Sequence, residues 1–314
     1  MRVLVTGGAG YIGSHTCQAL LAAGHEPIVL DSLLYGHEYA IKGLPLEKID
    51  LRANLKPLFL KYKPEAVIHF AGLTYVGESS VEPLNYYDSN VGGTLSLLRA
   101  IRETEIVPFV FSSTCAIYGN PQYSPLDEKH PKDPLSPYGR TKWMIEQILV
   151  DCHRSYGLPF AALRYFNAAG ASKLLGEDHT PETHLIPLAI KAALQGGLLK
   201  IFGSDYPTPD GTAVRDYIHV EDLSSAHVQA LTRCDNLQVN LGVGKGYSVK
   251  EIISLVEKVS GKKLQVEKEA RRAGDPSSLV ANSALAKKLL DWQPRYTIEE
   301  IIQTAYEWHR KQYS

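Results

Sequence analysis

The sequence predicts an α/β protein with a doubly wound parallel sheet, and three observations carry that prediction. Short runs of branched apolar residues alternate with longer segments of helical period through the first half of the chain; a glycine-rich turn joins the first run to the first helix; and a carboxylate closes the second run. In chain order, residues 3–6 form the first strand, and 12–23 a helix that Gly24 stops. Strands follow at 27–31, 66–71, 108–114 and 160–167, with helices at 84–102 and 138–156 between them. Beyond Asn167 the texture changes. Residues 168–187 read as loop, and Pro207, Pro209 and Gly211 interrupt the elements that come next. A helix over 220–233 and a strand over 238–242 return the chain to the first sheet, and helices over 249–260 and 298–311 cover the core. The expected organisation is a dinucleotide-binding part, 1–167 re-entered by 220–245, and a smaller substrate-binding region, 168–219 with 246–314.

Composition narrows the functions this fold could carry. With 314 residues the chain can bury a large core. A net charge of −1 leaves no basic excess to hold a nucleic acid, and no apolar run is long enough to cross a membrane. Cys17, Cys115, Cys152 and Cys234 lie far apart, so neither a metal site nor a disulfide framework is suggested. Without the segments of a signal peptide, the expectation is a cytoplasmic protein with reduced thiols.

The stretch Val3-Leu4-Val5-Thr6-Gly7-Gly8-Ala9-Gly10-Tyr11-Ile12-Gly13 runs from a strand through a glycine turn into a helix. Missing side chains at Gly7 and Gly10 let the backbone approach a pyrophosphate at the positive end of the helix, and Gly13 permits close packing of helix on strand. This is the Rossmann arrangement. Asp31 ends the second strand where a carboxylate accepts from the adenosine ribose hydroxyls and repels a 2′-phosphate, so NAD is expected rather than NADP.

Tyr138 and Lys142 stand four residues apart, on one helix face. A free phenol, with a pKa near 10, is a poor base at neutral pH; lowering it by roughly three units takes about 4 kcal/mol, which a nearby ammonium and a cationic nicotinamide could supply. Thr114, at a strand's carboxyl end, can share a hydrogen bond with a reacting alcohol.

With these residues in view, the chain resembles the extended short-chain dehydrogenase/reductases, and among them the sugar-nucleotide 4-epimerases. The resemblance is carried by the glycine turn, Val67-Ile68-His69-Phe70-Ala71-Gly72, Tyr86-Tyr87-Asp88-Ser89-Asn90-Val91, the Ser112-Ser113-Thr114 strand end, Tyr138 with Lys142, Arg164-Tyr165-Phe166-Asn167, and Val214-Arg215-Asp216-Tyr217-Ile218-His219-Val220. It implies 4-epimerisation of a UDP-hexose: Tyr138 takes the proton of the 4-hydroxyl, a transient 4-keto sugar turns over, and the hydride lent to NAD returns to its other face. Thr114 would orient O4, and Lys142 would lower the Tyr138 pKa and hold the nicotinamide ribose.

The resemblance further implies NAD contacts from Gly7, Gly10, Tyr11, Ile12, Gly13, Asp31, Asp50, Leu51, Phe70, Ala71, Gly72, Asn90 and Tyr165. For the substrate it implies Asn167, Leu185, Phe202, Arg215, Arg272, Asp275 and Leu279, with no metal and a homodimeric assembly. Three positions depart from the family's pattern: Thr74 in place of a lysine near the cofactor, His184 in a Glu182-Thr183-His184-Leu185 stretch where an Asn-Asn-Leu run often occurs, and Leu279 in place of a bulky tyrosine that gates the sugar pocket. The last implies room for N-acetylated sugars. A related 4,6-dehydratase or decarboxylase would carry an acid pair after Thr114, where this chain has Cys115-Ala116. A non-catalytic dinucleotide sensor would have no use for a tuned phenol.

Overall fold

The computed structural model describes residues 1–272 and 274–313. Thirteen strands are present among them: β1 Arg2–Thr6, β2 Glu26–Asp31, β3 Leu46–Lys48, β4 Ala66–His69, β5 Phe109–Thr114, β6 Phe160–Tyr165, β7 Asn167–Ala169, β8 Leu198–Phe202, β9 Val214–His219, β10 Leu237–Leu241, β11 Gly246–Ser248, β12 Gln265–Glu269 and β13 Ser278–Leu279. The helices are α1 Tyr11–Ala22, α2 Lys56–Tyr62, α3 Val76–Val81, α4 Pro83–Tyr86, α5 Gly93–Thr104, α6 Pro137–Tyr156, α7 Leu185–Gln195, α8 Val220–Ala230, α9 Val249–Ser260, α10 Ala284–Leu290 and α11 Ile298–Gln312.

Seven strands pair in parallel in the order β10-β6-β5-β4-β1-β2-β3. Side chains alternate between its two faces. Val3, Val5, Val29, Ile68, Val110 and Leu163 face one buried cluster that includes Cys17 and Leu20 of α1 and Leu223 and Ala226 of α8. Leu4, Leu30, Val67, Phe109, Phe111 and Phe160 face the other, with Leu97 and Ile101 of α5 and Ile145 and Leu149 of α6. Helices on both faces are what buries a parallel sheet. A smaller assembly, in which β7, β11 and β13 pair with β9, packs with α7, α9 and α11 around a third core.

Register aligns the polar strand ends. Thr6 pairs with His69, and Thr114 with Tyr165.

The structure shortens two of the expected strands. Residues 66–71 stop at His69 because the N–H groups of Phe70 and Ala71 both donate to the Thr6 carbonyl, at 2.9 and 3.1 Å, and the chain turns out of the sheet. Residues 160–167 stop at Tyr165, and Asn167 opens β7, which pairs with β9 in the smaller sheet. The helix expected over 84–102 is interrupted by a π-helical turn, Tyr87–Gly92. Strand β9 went unread because Arg215 and Asp216 break its apolar run, although both are buried.

Candidate functional site

A cleft of about 520 Å³ lies across the carboxyl ends of the parallel strands. On its dinucleotide side it is lined by Gly7, Gly10, Tyr11, Ile12, Gly13, Asp31, Asp50, Leu51, Phe70, Ala71, Gly72 and Thr74. Across from these stand Thr114, Tyr138, Tyr165, Asn167, Arg215, Asp275 and Leu279. Asn90, Lys142, Leu185, Phe202 and Arg272 do not form part of the lining.

The glycine turn leaves no room for side chains. Gly7 has φ +69°, and a Cβ on it would lie 2.6 Å from the Ala71 nitrogen; one on Gly13 would lie 2.2 Å from the Gly7 carbonyl oxygen. Gly10 caps α1 without a side chain, so no side-chain oxygen occupies the first N–H groups of this twelve-residue helix where Tyr11 and Ile12 face the cleft. The arrangement fits a dinucleotide pyrophosphate. Asp31 braces the same turn: Oδ2 accepts from Ala9 N at 3.0 Å and Oδ1 from Leu33 N at 2.8 Å. Burial raises its pKa while those two N–H groups hold it down, and a carboxylate retains acceptor capacity for a ribose. Asp50 pairs with Arg52 at 2.7 Å, and Arg52 also reaches Asp88.

Asn90 sits behind this wall. Its Oδ1 accepts from Leu73 N at 2.7 Å, and its Nδ2 donates to Leu73 O at 3.1 Å and Thr141 Oγ1 at 3.0 Å. Its amide is spent on positioning the strand-end loop.

Helix α6 begins with Ser136 accepting from Gly139 N at 3.1 Å and Pro137 in its first turn, a strong start signal. Tyr138, Lys142 and Glu146 then recur every fourth residue along one face. Glu146 anchors that face. Its carboxylate takes Arg164 of β6 at 2.6 Å and Ser113 of β5 at 2.5 Å, with Glu146 and Arg164 almost fully buried. Arg164 also donates to Tyr118 OH at 3.1 Å and Gln238 at 2.9 Å. Two turns of helix thus hold Tyr138 against the sheet through an ion pair the sequence reading did not find, because its partners come from different elements.

Lys142 Nζ donates to the Ser112 carbonyl at 2.9 Å and lies 6.0 Å from the centre of the Tyr138 ring. Burial pushes its ammonium down to about 8. Tyr138 departs from the sequence expectation: burial pushes the phenol well above its usual value, Tyr165 adds to the rise, and the Thr114 hydroxyl opposes it. Lys142 alone therefore does not lower the phenol; desolvation outweighs a cation already bonded to a carbonyl. Tyr165 shares a short hydrogen bond with Ser112.

On the opposite wall, Arg215 pairs with Asp275 at 2.5 Å and donates to the Val214 carbonyl at 2.7 Å. Leu279 packs with Cys115, Phe166 and Ala281. Arg272 stacks 4.0 Å from the centre of the Phe202 ring. Leu185, the first residue of α7, packs onto the third core.

The loop before α7 sets His184, noted in the sequence as a departure from the family's pattern, beside Glu177 and His179, which were not. Glu177, His179 and His184 line the cleft. His184 Nδ1 is 2.7 Å from Glu177 and 3.0 Å from Glu182, and His179 Nδ1 is 3.3 Å from Glu177. Burial disfavours charge on both rings, but the two carboxylates win and hold His179 at about 9 and His184 at about 10. The spacing Glu-x-His-x-x-Glu-x-His was the available signal.

This fold, with a tyrosine and lysine on one helix face beside a dinucleotide turn, is that of a short-chain dehydrogenase/reductase. A family model, the NAD dependent epimerase/dehydratase family, matches residues 3–242. A UDP-glucose 4-epimerase of Rhizobium leguminosarum bv. trifolii is 51% identical over 98% of this chain and 97% of its own length. The UDP-glucose 4-epimerase of Brucella ovis, solved in complex with NAD, is 47% identical, with a TM-score of 0.94 over 98% of each chain. The UDP-Glc/GlcNAc 4-epimerase of Campylobacter jejuni is 41% identical, with a TM-score of 0.86 over 99% of each. The chain belongs to the UDP-glucose 4-epimerases of this family, isomerases that use NAD.

Proposed function

We propose that this chain interconverts UDP-glucose and UDP-galactose at the cleft, with Tyr138 as the proton acceptor and donor at the sugar's O4. The observation that carries this reading is the placement of Tyr138 and Thr114 together on the cleft wall facing the glycine turn. NAD, when bound, supplies the hydride acceptor and donor for C4 and a positive charge beside the phenol. Gly7, Gly10 and the start of α1 hold its pyrophosphate, and Asp31 takes its adenosine ribose.

Burial keeps Tyr138 protonated before the dinucleotide is bound; with the positive charge of NAD beside that of Lys142 the phenol would lose this proton to solvent, so that the phenolate is the base that meets O4. Lys142 stays fixed beneath it, cationic over most of the neutral range, and supports the phenolate once a second positive charge arrives. Thr114 orients O4, and Tyr138 takes its proton as the carbinol becomes the 4-keto sugar. The keto sugar turns about its diphosphate link, and Tyr138 returns the proton with the opposite configuration at C4. Arg215 neutralises diphosphate charge from the far wall, close to Asn167 and Leu279.

A dehydratase reading lacks its acid and base: Cys115 follows Thr114, and burial pushes its thiol up to about 12. Incubating the purified protein with UDP-galactose and detecting UDP-glucose, with no added reductant, tests the proposal; folded protein that carries NAD and turns over no sugar would refute it. Leu279 is the basis for extending the substrates to UDP-GlcNAc and UDP-GalNAc, as the name of the Campylobacter jejuni relative describes for that protein. Leu279→Tyr should then suppress turnover of the N-acetylated pair by roughly tenfold or more, about the value of lost fit in an apolar pocket, and spare UDP-glucose.

The division of labour follows the chain, with 1–167 and 220–245 holding NAD and 168–219 with 246–314 holding the UDP-sugar. No helix among the described residues is long and apolar enough to cross a membrane, and a cytoplasmic homodimer is the proposed working form. Val81 and Leu84 stand 75% and 79% exposed on helices that pack against α6, a surface a second copy would cover. Sedimentation analysis measures that directly.

A further inference from the structure

Residues 177–184 bring four metal-ligating side chains from one short stretch around a single point. His184 Nδ1 lies 2.7 and 3.0 Å from Glu177 Oε1 and Glu182 Oε1, and His179 Nδ1 lies 3.3 and 3.7 Å from Glu177 Oε1 and Glu182 Oε2. All four donor atoms are within 4.8 Å of one another. Zinc bound to nitrogen and oxygen at about 2.0–2.2 Å in a tetrahedron separates its donors by roughly 3.4 Å, a spacing close to that of His179 Nδ1 from Glu177 at 3.3 Å and from Glu182 at 3.7 Å.

Hydrogen bonding adds to those distances. His179 Nδ1 is shielded from solvent and makes no hydrogen bond of acceptable geometry. That nitrogen lies at ion-pair distance from both carboxylates. A dication that displaces the two ring protons leaves two neutral imidazoles and two carboxylates, whose charge it cancels; paired imidazole and carboxylate donors favour zinc over magnesium or calcium.

We propose that Glu177, His179, Glu182 and His184 form a binding site for a divalent transition metal, Zn²⁺ by its donor set. Four protein ligands close the coordination sphere, so the ion is structural. Its surroundings show what it fastens. Asp178, between two of the ligands, is held by Tyr39 at 2.9 Å, and its carbonyl by His37 at 3.0 Å. Tyr75 donates to the Pro181 carbonyl at 2.9 Å, and His184 immediately precedes α7. The ion clamps the cleft wall where loops of the dinucleotide-binding part meet α7, and Tyr138 acts without it.

The test uses the full-length protein without a histidine tag, as isolated, stripped with a chelator and desalted. Titration with Zn²⁺ against a chromophoric competitor should give one equivalent per chain and raise the unfolding temperature, and Co²⁺ should show the intense visible bands of a tetrahedral site. His179→Gln and Glu182→Gln, each checked for fold by circular dichroism, should weaken Zn²⁺ at least about 100-fold, since loss of mere supporting groups costs 10–100-fold. Absence of uptake by the wild type overturns the site, as does equal uptake by a folded variant. Where one variant fails to fold, the other decides together with the Co²⁺ spectrum, and weak octahedral bands overturn the assignment.

Discussion

The two walls of the cleft obtain their polar partners in different ways. On the strand-end wall, groups are buried and satisfied within the sheet and the helix that covers it: Thr6 with His69, Lys142 with the Ser112 carbonyl, Glu146 with Arg164. On the opposite wall Arg215 pairs with Asp275 across a long stretch of chain and His184 with Glu177 within one loop, and these charges remain reachable from the cleft. The first arrangement gives a fixed geometry for proton transfer. The second gives exchangeable charges that a diphosphate can borrow.

The sharpest way to break that comparison is to remove the one group through which the rigid wall is proposed to act. Tyr138→Phe should lower kcat by about 10³–10⁴-fold, at the upper end of general acid–base contributions, while the protein still copurifies with NAD. The epimerase assay with UDP-galactose, beside chromatographic measurement of bound NAD, reads both. Retained turnover would assign the proton transfer to another group.

Next comes the support beneath that phenol. Glu146→Ala leaves Arg164 buried and without its carboxylate, and breaking such a pair costs about 3–5 kcal/mol. Urea unfolding should show the loss as a lower midpoint. A loss below 1 kcal/mol would mean that Tyr118 and Gln238 suffice to hold the guanidinium, and that the anchoring of α6 lies elsewhere.

The strand-end wall was largely legible in the sequence because its information is contiguous. A strand, a glycine turn and a helix read as one motif, and Tyr138 with Lys142 needs only a helical period. The opposite wall was legible in pieces. Sixty residues separate Arg215 from Asp275, and no spacing rule reports that they meet. Phe202 and Arg272, which the resemblance placed at the substrate, stack on each other beside the cleft. Electrostatics was least legible of all: the sequence showed a lysine near a tyrosine, whereas the sign of the phenol's shift depends on how completely the fold dehydrates it.

The exchangeable wall predicts a smaller and differently distributed effect. Arg215→Ala should raise KM for UDP-galactose roughly tenfold to a hundredfold, about 1.5–3 kcal/mol for a lost bond to a charged group, with little change in kcat. A fall in kcat at constant KM would place Arg215 with the rigid wall.

The smallest effect tests how deeply that rigid wall is sealed. His69 sits between Thr6 at 2.6 Å and Thr94 at 2.9 Å, against the rings of Phe109 and Phe111. Thr94 donates its own hydroxyl proton to the Asn90 carbonyl at 2.6 Å, so His69 Nε2 must donate to Thr94 and Nδ1 must accept from Thr6. A second ring proton has no acceptor there. Burial, assisted by the charge of Lys142, accordingly holds the imidazole down to about 3. The unfolded chain takes up that proton near pH 6.5, so between pH 6.5 and about 3 it holds more protons than the folded one, and stability falls as pH falls. For this ring alone, moving from pH 7.5 to 5.5 should cost about 1.4 kcal/mol. His219 and His227, both held down to about 4 by burial, add losses of the same sign. His69→Gln keeps a neutral donor and acceptor and should flatten the acid slope by that amount in urea unfolding at the two pH values. An unchanged slope would show that the ring exchanges protons in the folded protein, and that the wall is open to water at the strand ends.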